Sequence, residues 1–177
     1  MARVVARTER LTLRTWRPDD PRDRAAGLRI WGDPEVVREL GESPLDAAGV
    51  ERCLRAGRAH YEEHGVQHFA VERRDTGEVI GACGFHRGED PDVDGSCLEL
   101  VYHFARDVWG LGFATEAARA CVELARREHA PVTLVAAFAP GHDASRRVLE
   151  KLGFRSHTER WFEDTQRHEP VWHLSLP

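Results

Sequence analysis

The segment from Glu99 to Ala117, ELVYHFARDVWGLGFATEA, is the part of the chain where residue types and spacing point to chemistry. A run of strand character ends near Phe104, a short turn carries Gly110-x-Gly112, and a helical run begins at once. The first N–H groups of a helix have no partners inside it, and the helix dipole adds partial positive charge there. Glycines before the helix let a pyrophosphate approach the backbone with no Cβ in the way. That physics alone leaves two readings: a site for a phosphate-bearing cofactor, or a tight turn that docks the helix on a sheet. A Walker loop is excluded, because no G-x-x-x-x-G-K-[ST] run exists. A dinucleotide fingerprint needs Gly or Ala three residues after Gly112, where Thr115 stands, and it belongs at a first strand and not a fourth.

Other reactive residue types read as structural. Asp90-x-Asp92-x-Asp94-Gly95 imitates the start of a calcium loop, but its twelfth position is Val101, inside a predicted strand. Gly88 to Gly95 is therefore expected to be a solvated acidic loop. His60, His64 and His68 stand four apart, as a helical metal pair would, yet Gly65 should end that helix and no further ligand can be assigned. They read as surface histidines, and no metal is expected. Cys53, Cys83, Cys97 and Cys121 lack C-x-x-C spacing and read as reduced, buried apolar groups and not as catalytic thiols. Trp31, Trp161 and Trp172 read first as core or pocket lining.

The elements that must position these residues are α+β in pattern. Leu11 to Trp16 alternates as a first strand, Pro18 and Asp19-Asp20 open a helical stretch, and Asp33-Pro34-Glu35 starts a short helix that Gly41 stops. Ser43-Pro44 predicts the start of a longer helix ending near His64. Strands follow around Phe69–Val71 and Val79–Phe85, joined by the Asp75-Thr76-Gly77 turn, and a fourth runs Cys97–Phe104. Gly110–Glu128 and Ala144–Leu152 read as helices around a strand at Val132–Phe138, and two last strands run about Phe154–Phe162 and Val171–Leu176. At 177 residues, with no repeat or linker, one continuous domain is expected. A net charge of −5 with scattered arginines argues against a nucleic-acid partner, and the absence of a long apolar run or leader argues against a membrane. A cytoplasmic location is the expectation.

WGLGFATEA, with Glu99-Leu-Val-Tyr102 before it and Ser145-Arg-Arg-Val-Leu-Glu-Lys-Leu-Gly-Phe154 after it, resembles the GNAT superfamily of N-acetyltransferases. Within it the chain is similar to the ribosomal-protein N-terminal acetyltransferase branch, and LRTWRPDD, WGDPEVVREL and TGEVIGACGFHR match that branch in order, so the resemblance spans essentially the whole chain. It implies an α+β fold: a mixed, mostly antiparallel splayed sheet of six to seven strands with about four helices. It also implies acetyl-CoA as co-substrate. The fourth and fifth predicted strands would part to admit the pantetheine arm, which backbone groups of Tyr102, His103 and Phe104 would pair with. N–H groups of Trp109, Gly110, Leu111, Gly112, Phe113 and Ala114, with Thr115 behind them, would hold the pyrophosphate. Asp107 stands where many members carry Arg or Gln.

The resemblance also assigns roles. Glu99 matches the acidic position that serves as general base, Ser145 the branch's hydroxyl beside the departing sulfur, and His142 a position usually Asn that would contact cofactor. The tyrosine of many members is replaced by Leu149. Trp31, Glu99 and Trp161 fall where the family places its acceptor cleft. The implied reaction is direct acetyl transfer to a primary amine: a protein N-terminus, a polyamine, an aminoglycoside or another small amine. Many relatives pair as homodimers. A non-catalytic acyl-CoA-binding or regulatory protein on the same fold is the rival reading.

Overall fold

The computed structural model describes residues 2–38, 41 and 43–177. β1 (Val4–Arg7), β2 (Leu11–Arg14), β3 (His68–Arg73) and β4 (Val79–Glu89) form an antiparallel meander. β1 is an addition to the predicted strands. It is short, with both ends exposed, and so leaves no alternating apolar signal.

Three helices lie between β2 and β3: α1 (Pro21–Trp31), α2 (Pro34–Val37) and α3 (Ala47–His64). Asp20 and Asp33 cap the first two, each accepting a backbone N–H at 2.9 Å, with Pro34 in the first turn as predicted and Pro21 in the same place in α1. α3 starts later than Ser43-Pro44 suggests. Its cap is Asp46, whose carboxylate reaches the Gly49 N–H at 2.7 Å, and Ser43 to Leu45 stay outside the helix.

One buried ion pair ties α1 to β2. Arg14 donates bidentately to Asp23 at 2.7 and 2.8 Å, and Arg17 adds its backbone and side-chain N–H groups. Burial alone would push the Asp23 carboxyl up, but the bonds from Arg14 and Arg17 outweigh it and hold it below its ordinary value.

β5 (Ser96–Phe104) continues the antiparallel order from β4. A 3-10 turn at Arg106–Val108 leads to α4 (Phe113–Glu128), then β6 (Val132–Ala137), α5 (Asp143–Leu152), β7 (Arg155–Phe162) and β8 (Arg167–Leu176). The described residues form one eight-stranded sheet, ordered β1-β2-β3-β4-β5-β6-β8-β7, with five α-helices, against the six to seven strands and about four helices expected. α4 buries Ala117, Ala118, Cys121, Val122, Leu124 and Ala125 against β4 and β5. Phe69, Phe85, Phe154 and Trp16 complete the core, each burial contributing about 1.5–3 kcal/mol. Gly84 allows a close crossing, since a Cβ there would sit 1.9 Å from the Gln67 carbonyl oxygen.

β5 and β6 are the parallel neighbours, and they pair only at Leu98–Leu134 and Glu99–Val135. Beyond Glu99 the two strands part. Alternation puts Glu99, Val101 and His103 on one face of β5 and Leu100, Tyr102 and Phe104 on the other. No helix among the described residues is long and apolar enough to cross a membrane.

Candidate functional site

The site is built where the parted strands meet the start of α4. Gly110 and Gly112 have φ of +77° and +82°, and Gly112 is the residue before the helix, where no side chain caps it. The N–H groups of the first turn are therefore left for an outside acceptor, and Trp109 to Gly112 are exposed.

Arg10 fixes the turn from behind, a role the sequence pattern does not reveal. It donates from Nη1 to the Leu111 carbonyl at 3.1 Å and from Nε to Glu116 at 2.6 Å, and its guanidinium lies 4.4 Å over the Phe113 ring. Glu116 also accepts from Thr8 Oγ1 and the Arg10 N–H. With one loop carbonyl tied to Arg10, whose charge Glu116 offsets, it is the unpaired N–H groups of the turn that favour an anion. Asp107 does not oppose this, because Arg29 holds it bidentately at 2.7 and 2.8 Å and also pairs with Glu78.

The gap between β5 and β6 offers backbone groups of two residues. The Ala105 N–H bonds to the Ile80 carbonyl on β4 at 3.0 Å, so alternate residues of β5, His103 among them, turn their backbone groups toward β4. Tyr102 and Phe104 turn theirs toward the gap. Trp109 Nε1 occupies the Phe104 carbonyl at 2.8 Å, which leaves the Phe104 N–H and both groups of Tyr102. His103 thus borders the gap without facing it.

The reactive side chains stand on opposite faces of that gap. Glu99 sits at the last paired position, half-buried, and burial, then Asp164 and Glu169, push its carboxyl above the ordinary carboxylate range. A carboxylate raised in this way is a stronger proton acceptor than an ordinary one. On the other face Ser145, 7% exposed, lies in the first turn of α5 with its Oγ 2.7 Å from the Tyr102 hydroxyl. Leu149, one turn on, is fully buried and apolar. His142 is the residue before α5 and makes no capping bond with its side chain.

The acetyltransferase (GNAT) domain family matches residues 10–155. The chain belongs to the GNAT acetyltransferases. It is 33% identical over 150 residues to the uncharacterized protein YkkB of Bacillus subtilis, covering 82% of each chain. A GNAT-family acetyltransferase structure from Bacillus anthracis superposes with a TM-score of 0.79 at 20% identity, covering 99% of this chain and 98% of that one. Mycobacterium smegmatis RimJ in complex with CoA-disulfide superposes at 0.75 and 20% identity, covering 98% and 85%. Structures of other ribosomal-protein acetyltransferases are also among the neighbours, so the GNAT fold is shared with the branch the sequence resembles.

Several sequence expectations change. Asp90 is not a solvated acid: it is 5% exposed and takes Arg160 at 2.9 and 3.2 Å, while Asp92 binds Arg160 and lies near His157. β7 brings the arginine that pairs with Asp90 and Asp92, while Asp94 stays exposed. His68 is not on the helix of His60 and His64, nor at the surface. It lies on β3, with its ring edge-on to those of His86 and His103 at centroid distances of 4.1 and 5.9 Å. Among the described residues no three His, Cys, Asp or Glu side chains are grouped to hold a metal. Cys53 is exposed, whereas Cys83, Cys97 and Cys121 are buried.

Trp31, 5% exposed, lies in the core beside Trp16, and its Nε1 donates to His103 Nδ1 at 3.0 Å. Trp161 is open, 44% exposed, and its Nε1 donates to Glu163 beside the tip of the β7–β8 hairpin. That tip reaches back to Gly41, where a Cβ would meet Thr165 at 2.9 Å.

Proposed function

We propose that this GNAT acetyltransferase moves the acetyl group of acetyl-CoA to a primary amine by direct attack, with no covalent enzyme intermediate. The observation that carries the reading is the parting of β5 and β6 immediately after Glu99, in front of an uncapped helix start. The turn N–H groups from Gly110 to Ala114 suit a pyrophosphate, with Thr115 in the turn behind them, whereas the Trp109 N–H expected to join them donates to the Arg106 carbonyl at 3.2 Å; the Tyr102 and Phe104 backbone groups suit an amide-bearing arm lying in the gap.

Glu99 accepts the proton of the incoming ammonium, directly or through one water, so that neutral nitrogen adds to the thioester carbonyl. The added nitrogen gives up its second proton to solvent, the C–S bond breaks with its electron pair on sulfur, and Ser145, on the opposite face, donates a hydrogen bond to the charge that builds there. Placing base and donor on opposite faces lets the amine enter from the Glu99 side while sulfur leaves toward α5. Asp164 and Glu169 beside Glu99, with the Trp161 face of the hairpin, favour a cationic acceptor; His142 lies at the cofactor side. A small amine and a protein N-terminus both meet these requirements, and the branch resemblance favours the N-terminus.

Acetyl-CoA with peptides of free N-terminus, spermidine and an aminoglycoside, followed by mass spectrometry, tests the reading. Transfer to one class, lost in Glu99→Gln while acetyl-CoA still binds, is the expected result. Cofactor binding with no transfer to any amine favours a non-catalytic acyl-CoA-binding protein instead.

A further inference from the structure

Ser145 has one side-chain partner among the described residues, and it is the phenol of Tyr102. The two oxygens are 2.7 Å apart, Ser145 is nearly buried, and the Tyr102 hydroxyl is 3.4 Å from the Ser145 carbonyl. Burial raises the Tyr102 phenol above its ordinary range; the Ser145 bond pulls the other way without cancelling it. The phenol is therefore a neutral donor throughout the working range.

Two arrangements of the hydroxyl protons fit these distances. In one, Ser145 donates to Tyr102, and the Tyr102 proton is left with the long contact to the Ser145 carbonyl. In the other, Tyr102 donates to Ser145 Oγ at the short distance, which releases the Ser145 proton toward the gap. A hydroxyl that accepts one hydrogen bond becomes a stronger donor of the next. Negative charge in the gap selects the second arrangement, because both O–H dipoles then point toward it. Tyr102 borders that gap with its own backbone groups, so the phenol and the leaving sulfur share one neighbourhood. Leu149 offers no competing hydroxyl.

We propose that Tyr102 is a positioning residue that holds the Ser145 hydroxyl as a hydrogen-bond donor to the sulfur of CoA. The inference rests on the Ser145 role above. It involves no bond to the protein, only hydrogen bonds that strengthen as charge develops on sulfur.

The test needs no amine. Titration calorimetry gives the affinity of CoA and of S-methyl-CoA across the range spanning an ordinary thiol pKa of about 8.5. It is run on the unsubstituted protein, Ser145→Ala, Tyr102→Phe and the double variant. A donor to sulfur makes thiolate bind more tightly than thiol, so CoA affinity should rise by about tenfold relative to S-methyl-CoA as pH increases. Each single variant and the double variant should lose that rise to the same extent, because Tyr102 acts through Ser145. Retention of the rise in Tyr102→Phe with its loss in Ser145→Ala overturns the Tyr102 role alone. Losses that add in the double variant overturn it as well. A rise unchanged in Ser145→Ala, or absent from the unsubstituted protein, overturns the Ser145 role and the Tyr102 inference with it.

Discussion

Trp31 can only donate from its indole nitrogen, so the 3.0 Å bond to His103 Nδ1 requires a lone pair there and a neutral imidazole. Burial lowers the His103 pKa from 6.5 to about 4, and His86 pushes in the same direction. The surroundings are Trp31 from α1, His68 from β3 and His86 from β4, with no acid bonded to the ring. Between those two pKa values the unfolded chain binds a proton that the folded one refuses. Stability is therefore complete above the unfolded value and falls as pH drops toward the folded one. At pH 5 the unfolded imidazole is nearly all protonated and the folded one hardly at all, a difference of about 2 kcal/mol. Urea unfolding followed by tryptophan fluorescence, at about pH 7.5 and pH 5, measures it. His103→Asn keeps an acceptor near the Nδ1 position but cannot titrate. It should lose about 2 kcal/mol less than the unsubstituted protein between the two conditions, whatever its stability at the higher pH. Equal losses in both proteins would refute the tautomer and burial argument.

Three further outcomes follow from the same geometry. Asp23→Asn removes the charge that meets both Arg14 and Arg17 and leaves the buried Arg14 guanidinium with Glu72 at 2.8 Å as its one carboxylate, so it should cost about 1–3 kcal/mol in denaturant unfolding; no loss would show the Asp23 charge to be dispensable. Gly84→Ala forces a methyl against the Gln67 carbonyl oxygen and should destabilise by about 1–3 kcal/mol, lowering the melting temperature by several degrees, whereas an unchanged melting temperature would mean the crossing is looser than described. On the proposed base role Glu99 has to be ionised, so kcat/KM should fall as pH drops through its raised pKa. Asp164→Asn removes a like charge and should move that fall to lower pH, and a shift the other way would contradict the electrostatics.

Much of this site is legible along the chain because its key parts are local. Gly110, Gly112 and the helix after them form one continuous segment, and Asp20 and Asp33 cap helices whose starts they directly precede. Asp46 is hidden along the chain, because Ser43-Pro44 offers a competing start three residues earlier. What the sequence hides is non-local. Arg10 lies in a turn about a hundred positions from the loop it secures, and no periodicity links them. Asp90 looks like a loop acid until β7 supplies Arg160. The acidic partners of Glu99 come from the final hairpin. Tyr102 presents only as an alternating strand residue, and its bond to Ser145 depends on how α5 docks across the open gap.

The central claim is that acetyl-CoA is held by the turn before α4 and the gap between β5 and β6. Calorimetric titration of acetyl-CoA into the unsubstituted protein and into Gly112→Val tests it most directly, because a side chain at φ +82° must distort the turn that presents the N–H groups. The account predicts one binding site per chain in the unsubstituted protein and a loss of at least tenfold in affinity in the variant, with both folded by circular dichroism. Absence of binding, or equal affinity in both proteins, would contradict it.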